Sequence, residues 1–178
     1  MRRAAVLAVV LVMAFSGVAL GRGPVATVTG HYAYTTVDWG DADRLVTVAA
    51  TNDGDHVKGV WSLTVLNPPR TTYSGPVTCL TVSGRDAWLA GPLRQGSNVG
   101  AFLWIHDGGL PRGADDQAVT WISDPGWTAA DMEKLCQHKA TDFSAAAMAS
   151  HGVAYMDYMV GLPQFSVTSG NLVVLPGR

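Results

Sequence analysis

Asn52-Asp53-Gly54-Asp55-His56-Val57-Lys58-Gly59-Val60-Trp61-Ser62-Leu63-Thr64-Val65-Leu66 sets the grammar of this chain. Asp-Gly supplies the positive φ angles of a tight primed β-turn. Beyond that turn Trp61, Leu63 and Val65 fall on one side and Ser62 and Thr64 on the other, the period of two expected of a strand with one buried face. The spacing predicts a hairpin, one arm from Arg44 to Thr51 and the other from about His56 to Leu66.

Working outward, short segments rich in Val, Thr, Trp and Tyr recur between turn dipeptides, as in a meandering antiparallel sheet. Strands are expected at Thr27 to Val37, Val77 to Val82, Ala87 to Ala90, Val99 to His106, Ala118 to Ser123 and Gln164 to Leu175. The last is interrupted at Ser169-Gly170-Asn171, read as a bulge or tight bend. Val99 to His106 sets Ala101, Leu103 and Ile105 opposite Phe102 and Trp104, so both its faces are apolar. Such a strand belongs in the middle of a sheet covered on each side.

At Asp124-Pro125-Gly126 the pattern changes. Thr128 is placed to cap a helix with Asp131 at its third position, and Ala129, Met132, Leu135 and Cys136 then share one stripe. Glu133, Lys134, Gln137 and His138 are left for water. A second, alanine-rich helix is expected from Asp142 to about Ser150, stopping before Gly152. Together these point to a mainly β protein: a single antiparallel β-barrel, its final strand pairing with its first, with a short helical insertion near the C-terminus. A two-layer β-sandwich is the alternative, and both forms limit exposed sheet edges.

The N-terminus carries an address. Met1-Arg2-Arg3, an apolar run from Ala4 to Phe15 and the small residues Ala19 and Gly21 read as a secretory signal peptide, residues 1–21, cleaved after Gly21. The run falls short of the roughly 18 or more strongly apolar residues of a spanning helix, so no stable membrane span is expected after cleavage. Residues 22–178 then form a single domain outside the cytosol, secreted and extracellular. With a net charge of −2 and lysine only at Lys58, Lys134 and Lys139, the chain lacks the basic surface that nucleic acid demands. Cys79 and Cys136 are its two cysteines, and an even pair in an exported protein reads as a disulfide.

The segments Val77-Thr78-Cys79-Leu80-Thr81-Val82-Ser83-Gly84, Ile105-His106-Asp107-Gly108-Gly109-Leu110-Pro111 with Asp115 or Asp116, and Val167-Thr168-Ser169-Gly170-Asn171-Leu172-Val173-Val174 together resemble uncharacterised secreted bacterial β-rich proteins of unknown function. The resemblance implies a secreted barrel or sandwich and a second cysteine ahead of the last strand, consistent with Cys136 pairing to Cys79. It implies no activity. The tract from His138 to Pro163 is longer than the connection such proteins use, which marks it as individual to this chain.

Asp107, Asp115 and Asp116 gather in one glycine-rich loop, the oxygen-rich composition a hard cation prefers, although ordinary turn chemistry yields the same residues. The spacing of an EF-hand is absent: the sixth position after Asp53 is Lys58 and the twelfth Thr64. The histidines His31, His56, His106, His138 and His151 show no zinc spacing. Ser74 and Ser169 lack the strand-to-helix setting of an activated serine. Glu133, the single glutamate, cannot furnish a glutamate pair for glycoside hydrolysis. No catalytic residue and no cofactor are assigned. Of six tryptophans, Trp61, Trp104 and Trp121 sit where alternation predicts core, Trp88 is undecided, and Trp39 and Trp127 fall in loops suited to contact. With Tyr155, Met156, Tyr158 and Met159, which together with Met148 form either an adaptable lid or a core seal, Trp39 and Trp127 make up the candidate ligand-binding set.

The expected function is that of a non-enzymatic β-domain binding a small molecule, glycan or protein partner at its loop end. The alternative is a lipocalin-like barrel enzyme, an isomerase or hydrolase, with titratable residues among His31, His106, Asp107 and Asp116 meeting inside the barrel mouth.

Overall fold

The computed structural model describes residues 25–36, 42–94, 99–109, 115–122, 127–141, 145–150, 152 and 165–177. The hairpin expected around Asp53-Gly54 is present: β2 (Ala42–Asn52) and β3 (Val57–Val65) pair antiparallel with Val48 opposite Trp61. Gly54 has φ +93° at the turn, where the Asn52 side-chain oxygen accepts from the Gly54 N–H at 2.9 Å. β1 (Ala26–Thr36) lies on the other side of β2, and β10 (Ser169–Leu175) pairs with β1, so the last strand does meet the first. β4 (Thr71–Pro76), which the sequence pattern does not announce, completes a sheet ordered β10-β1-β2-β3-β4.

The second sheet contains β5 (Cys79–Ser83), β6 (Asp86–Pro92), β7 (Gly100–His106), β8 (Gln117–Ile122) and the two-residue β9 (Phe165–Ser166), in that order. The barrel expectation is corrected here: the hydrogen-bonded ladders form two separate antiparallel sheets and do not close. They are instead linked at two corners. At one, Val77 N–H donates to Gly59 of the first sheet and the next residue, Thr78, donates to Ala90 of the second, at 3.0 and 2.9 Å. At the other, Val167 N–H donates to Asp116 and Thr168 N–H to Ala33, at 2.9 and 2.8 Å. The strand break therefore falls at Val167–Thr168, while Ser169-Gly170-Asn171, expected to interrupt, lies inside β10.

The strands of the two sheets cross. Asn52, at one end of β2, donates through its side chain to Leu80 of β5 at 2.8 Å. Toward the other end of β1, Tyr32 and Tyr34 meet Thr120 of β8. Because β6 and β7 separate β5 from β8, the second sheet stacks its strands along the length of the first sheet's strands.

Alternation then allocates the core. Val28, Val46, Val48, Trp61 and Leu63 face Leu80, Leu89, Leu103 and Ile105 across the gap between the sheets. Each such fully buried aliphatic side chain contributes about 1.5–3 kcal/mol. The other side of the first sheet is polar and open, with Thr29, His31, Thr47 and Lys58 exposed.

β7 is buried along both faces, as its sequence requires. On its outward side Trp88, Phe102, Trp104, Val119 and Trp121 pack against Met132, Leu135 and Cys136 of α1 (Ala129–Gln137). α1 begins as expected, with Thr128 and Asp131 forming a reciprocal capping box. Burial pushes the Asp131 carboxyl up, but the Thr128 N–H and hydroxyl and the Lys134 ammonium outweigh it and hold the group below its usual range. A disulfide joins Cys79 of β5 to Cys136 of α1, with Cα atoms 6.3 Å apart. The side chain of Glu133, expected in water, accepts from the Thr78 hydroxyl and ties α1 to the first corner. α2 (Ala145–Ser150) follows.

The first corner depends on two glycines. A methyl group at Gly75 would stand 1.9 Å from the Pro92 carbonyl oxygen, and one at Gly91 would stand 2.0 Å from that of Pro76. The obstructing atoms are backbone, so neither contact relaxes by a side-chain rotation. We expect Gly75→Ala and Gly91→Ala each to lose at least about 1–3 kcal/mol, the usual range for overpacking, measured as a drop in urea midpoint. Midpoints equal to wild type would show that the corner is loose.

Candidate functional site

The acidic loop between β7 and β8 is built by its own carboxylates. Asp107 accepts the Gly109 N–H through Oδ1 at 2.7 Å and the Val174 N–H through Oδ2 at 3.1 Å. The second bond has a structural purpose, because β10 is an edge strand and Asp107 occupies one of its outward donors. Asp116 is buried and accepts the Gly108 N–H at 2.9 Å. Arg85 donates to the Gly108 carbonyl at 2.7 Å, and Asp86 pairs with His106 Nδ1 at 2.9 Å while Trp104 stacks on the His106 ring. Asp115 is exposed. Thus Asp107 and Asp116, proposed from sequence as cation ligands, spend oxygens on backbone donors. Among the described residues no three His, Cys, Asp or Glu side chains are placed together to hold a metal ion.

The four residues of the enzyme alternative have separate partners. His31 points outward from the first sheet and bonds Thr47 at 2.8 Å. His106 pairs with Asp86, while Asp107 and Asp116 hold the loop.

Of the ligand-binding set, Trp127 is buried rather than offered to solvent, its ring meeting Trp121 edge-on at 4.5 Å beneath α1. Trp88 is also core, donating its indole N–H to Ala140 at 3.1 Å. Trp39, Tyr155, Met156, Tyr158 and Met159 lie outside the described residues, as does the stretch 1–24 with the expected signal peptide.

A different group of polar side chains meets between the sheets. Tyr32 and Tyr34 share the inward face of β1, their rings 6.2 Å apart, and Arg44 stands directly opposite Tyr34 in β2. Thr120 reaches both tyrosines from β8, and Arg44 reaches Tyr34. The Tyr32 hydroxyl, the Thr120 hydroxyl and Arg44 Nε are buried, and none meets a protein partner at full hydrogen-bond geometry. An unmatched buried polar atom costs about 1–3 kcal/mol, and here three gather in one place, apart from the Trp61 indole N–H in the same gap. Burial, and then the neighbouring Tyr34, push the Tyr32 hydroxyl far above its ordinary range; burial also raises Tyr34 against the opposing influence of Thr120 and Arg44. Both phenols therefore stay protonated and neutral. Sequence reasoning passes over this group, although Arg44 shares its inward parity with Val46 and Val48 and so signals a charge on a buried face.

Compared with protein-family models, curated proteins and solved structures, the chain matches none.

The loop makes a pH-dependent contribution. Burial, reinforced by Asp107 and Asp115 and opposed by the Gly108 N–H and His106, raises the Asp116 carboxyl above its ordinary value. A carboxyl raised in the folded state stabilises most below its unfolded pKa and loses that contribution as pH rises through the folded value. Asp116→Asn keeps an acceptor for Gly108 without the charge. Relative to wild type, its urea midpoint should improve as pH climbs from about 4, the ordinary Asp value, toward neutrality. A difference between the two proteins that does not vary with pH would contradict this assignment.

Proposed function

We propose that this is an exported β-domain that acts by binding a small molecule, glycan or protein partner rather than by catalysis. The observation that supports it best is that the four titratable groups open to acid-base chemistry do not converge: His31 bonds Thr47, His106 bonds Asp86, and Asp107 and Asp116 accept backbone N–H groups of the loop. Export is supported by the Met1-Arg2-Arg3 leader pattern and by the Cys79–Cys136 disulfide, which fits an oxidising compartment. No helix among the described residues is long and apolar enough to cross a membrane.

Mass spectrometry of the protein secreted by an export-competent host tests the reading. The expected species begins at Arg22, is lighter than its reduced form by two hydrogens, and retains a partner under native conditions. An unprocessed chain with free thiols would overturn export. Turnover of ester, glycoside or isomerisable substrates would overturn the binding role.

A further inference from the structure

We propose that the inter-sheet group of Tyr32, Tyr34, Arg44 and Thr120 is a binding site for a small organic carboxylate, with Arg44 as the charged anchor and the hydroxyls as additional donors. This rests on the binding role argued above and narrows it to a place and a ligand class.

The donor set selects the class. A guanidinium offers only N–H donors, in a planar fork that matches a carboxylate. Its charge has no acidic counterpart among the described residues: the ion pairs present involve His56, His106 and Lys134. The nearest acid in sequence, Asp43, lies on the opposite face of β2 and accepts from Thr35 at 2.7 Å. The tyrosines are held neutral by burial and so can donate O–H to an acceptor. One cation and neutral hydroxyls balance a monoanion, whereas a phosphate dianion would leave charge unmatched between apolar walls. Beside the group lie the two tyrosine rings and, next along the ladder, Val46 and Leu63, apolar neighbours of the kind that receive the body of an organic acid.

Packing does not account for the oxygens. Phe at position 32 and Val at position 120 would fill nearly the same space with no buried unmatched hydroxyl. Arg44 is only partly buried although its Nε is enclosed, so the charged end of the site is the end reachable from solvent.

The test is titration of the purified, oxidised protein with benzoate and with octanoate, read by calorimetry and by thermal shift, with benzamide and inorganic phosphate as comparisons. We expect at least one carboxylate to bind and raise Tm, and benzamide and phosphate to do so far more weakly. Arg44→Gln should weaken carboxylate binding by about tenfold or more, the loss expected of a charge-assisted bond. Arg44→Lys, which keeps the charge and the fold, should retain part of it. Tyr32→Phe should weaken binding several-fold while its own Tm equals or exceeds that of wild type. That combination separates a ligand-facing hydroxyl from a structural one. The proposal is overturned if neither carboxylate binds at millimolar concentration, if benzamide binds equally well, or if Tyr32→Phe lowers Tm. It is also overturned if Arg44 is found paired with a carboxylate of the chain itself. If neither carboxylate binds but a neutral partner is retained elsewhere on the protein, this site falls while the binding role stands; substrate turnover would remove the binding role itself.

Discussion

β7 is apolar on both faces, and that single constraint organises the molecule. A strand carrying Ala101, Leu103 and Ile105 on one side and Phe102 and Trp104 on the other must be covered twice. The first sheet supplies one cover. α1 supplies the other, although a helix of nine residues has little intrinsic stability of its own. Its position is secured by a capping box at the start, the Thr78–Glu133 hydrogen bond at the corner and the Cys79–Cys136 disulfide near the end. The cysteines are 57 residues apart, for which loop entropy gives a stabilisation of about 4 kcal/mol. The result is three layers: the first sheet with its polar face open, the second sheet facing it, and a helix over the far side.

The corners explain why the fold approaches a barrel without becoming one. At Val77–Thr78 and at Val167–Thr168 consecutive N–H groups donate to different sheets, so each chain segment leaves one ladder as it joins the next. Continuous pairing would demand that β4 pair with β5 and β9 with β10; in each case the first strand instead runs on into the second through a two-residue corner, and the two do not pair. Close approach at the first corner is bounded by backbone atoms facing Gly75 and Gly91. Asp107 carries a bond from the β7 end across to Val174, near the end of β10 away from the second corner.

Much of this was legible in the residues. The alternation of Trp61 and Leu63, the double-faced β7 and the Thr128–Asp131 cap rest on local signals that survive into the fold, while at the turn only Gly54 of the Asp53-Gly54 pair takes a positive φ. β4 was not legible, because Thr71-Thr72-Tyr73-Ser74-Gly75-Pro76 has no apolar alternation and forms a strand only by pairing with β3. Trp127 reads as a contact residue because it falls in a loop, yet α1 packs over it. The acidic loop has the composition of ordinary turn chemistry as well as of a cation site, and its hydrogen bonds to Gly108, Gly109 and Val174 show Asp107 and Asp116 as builders of the loop. The tyrosine, arginine and threonine group joins positions from β1, β2 and β8, so it exists only once the two sheets cross.

α1, held by the disulfide, is the necessary second cover of the β6-β7-β8 sheet. Amide hydrogen exchange on the oxidised protein and on a Cys79→Ser, Cys136→Ser double variant addresses it directly. The account predicts that protection falls most in α1 and along β6, β7 and β8, and least in β1, β2 and β3. Unchanged protection of β7 in the double variant would contradict it.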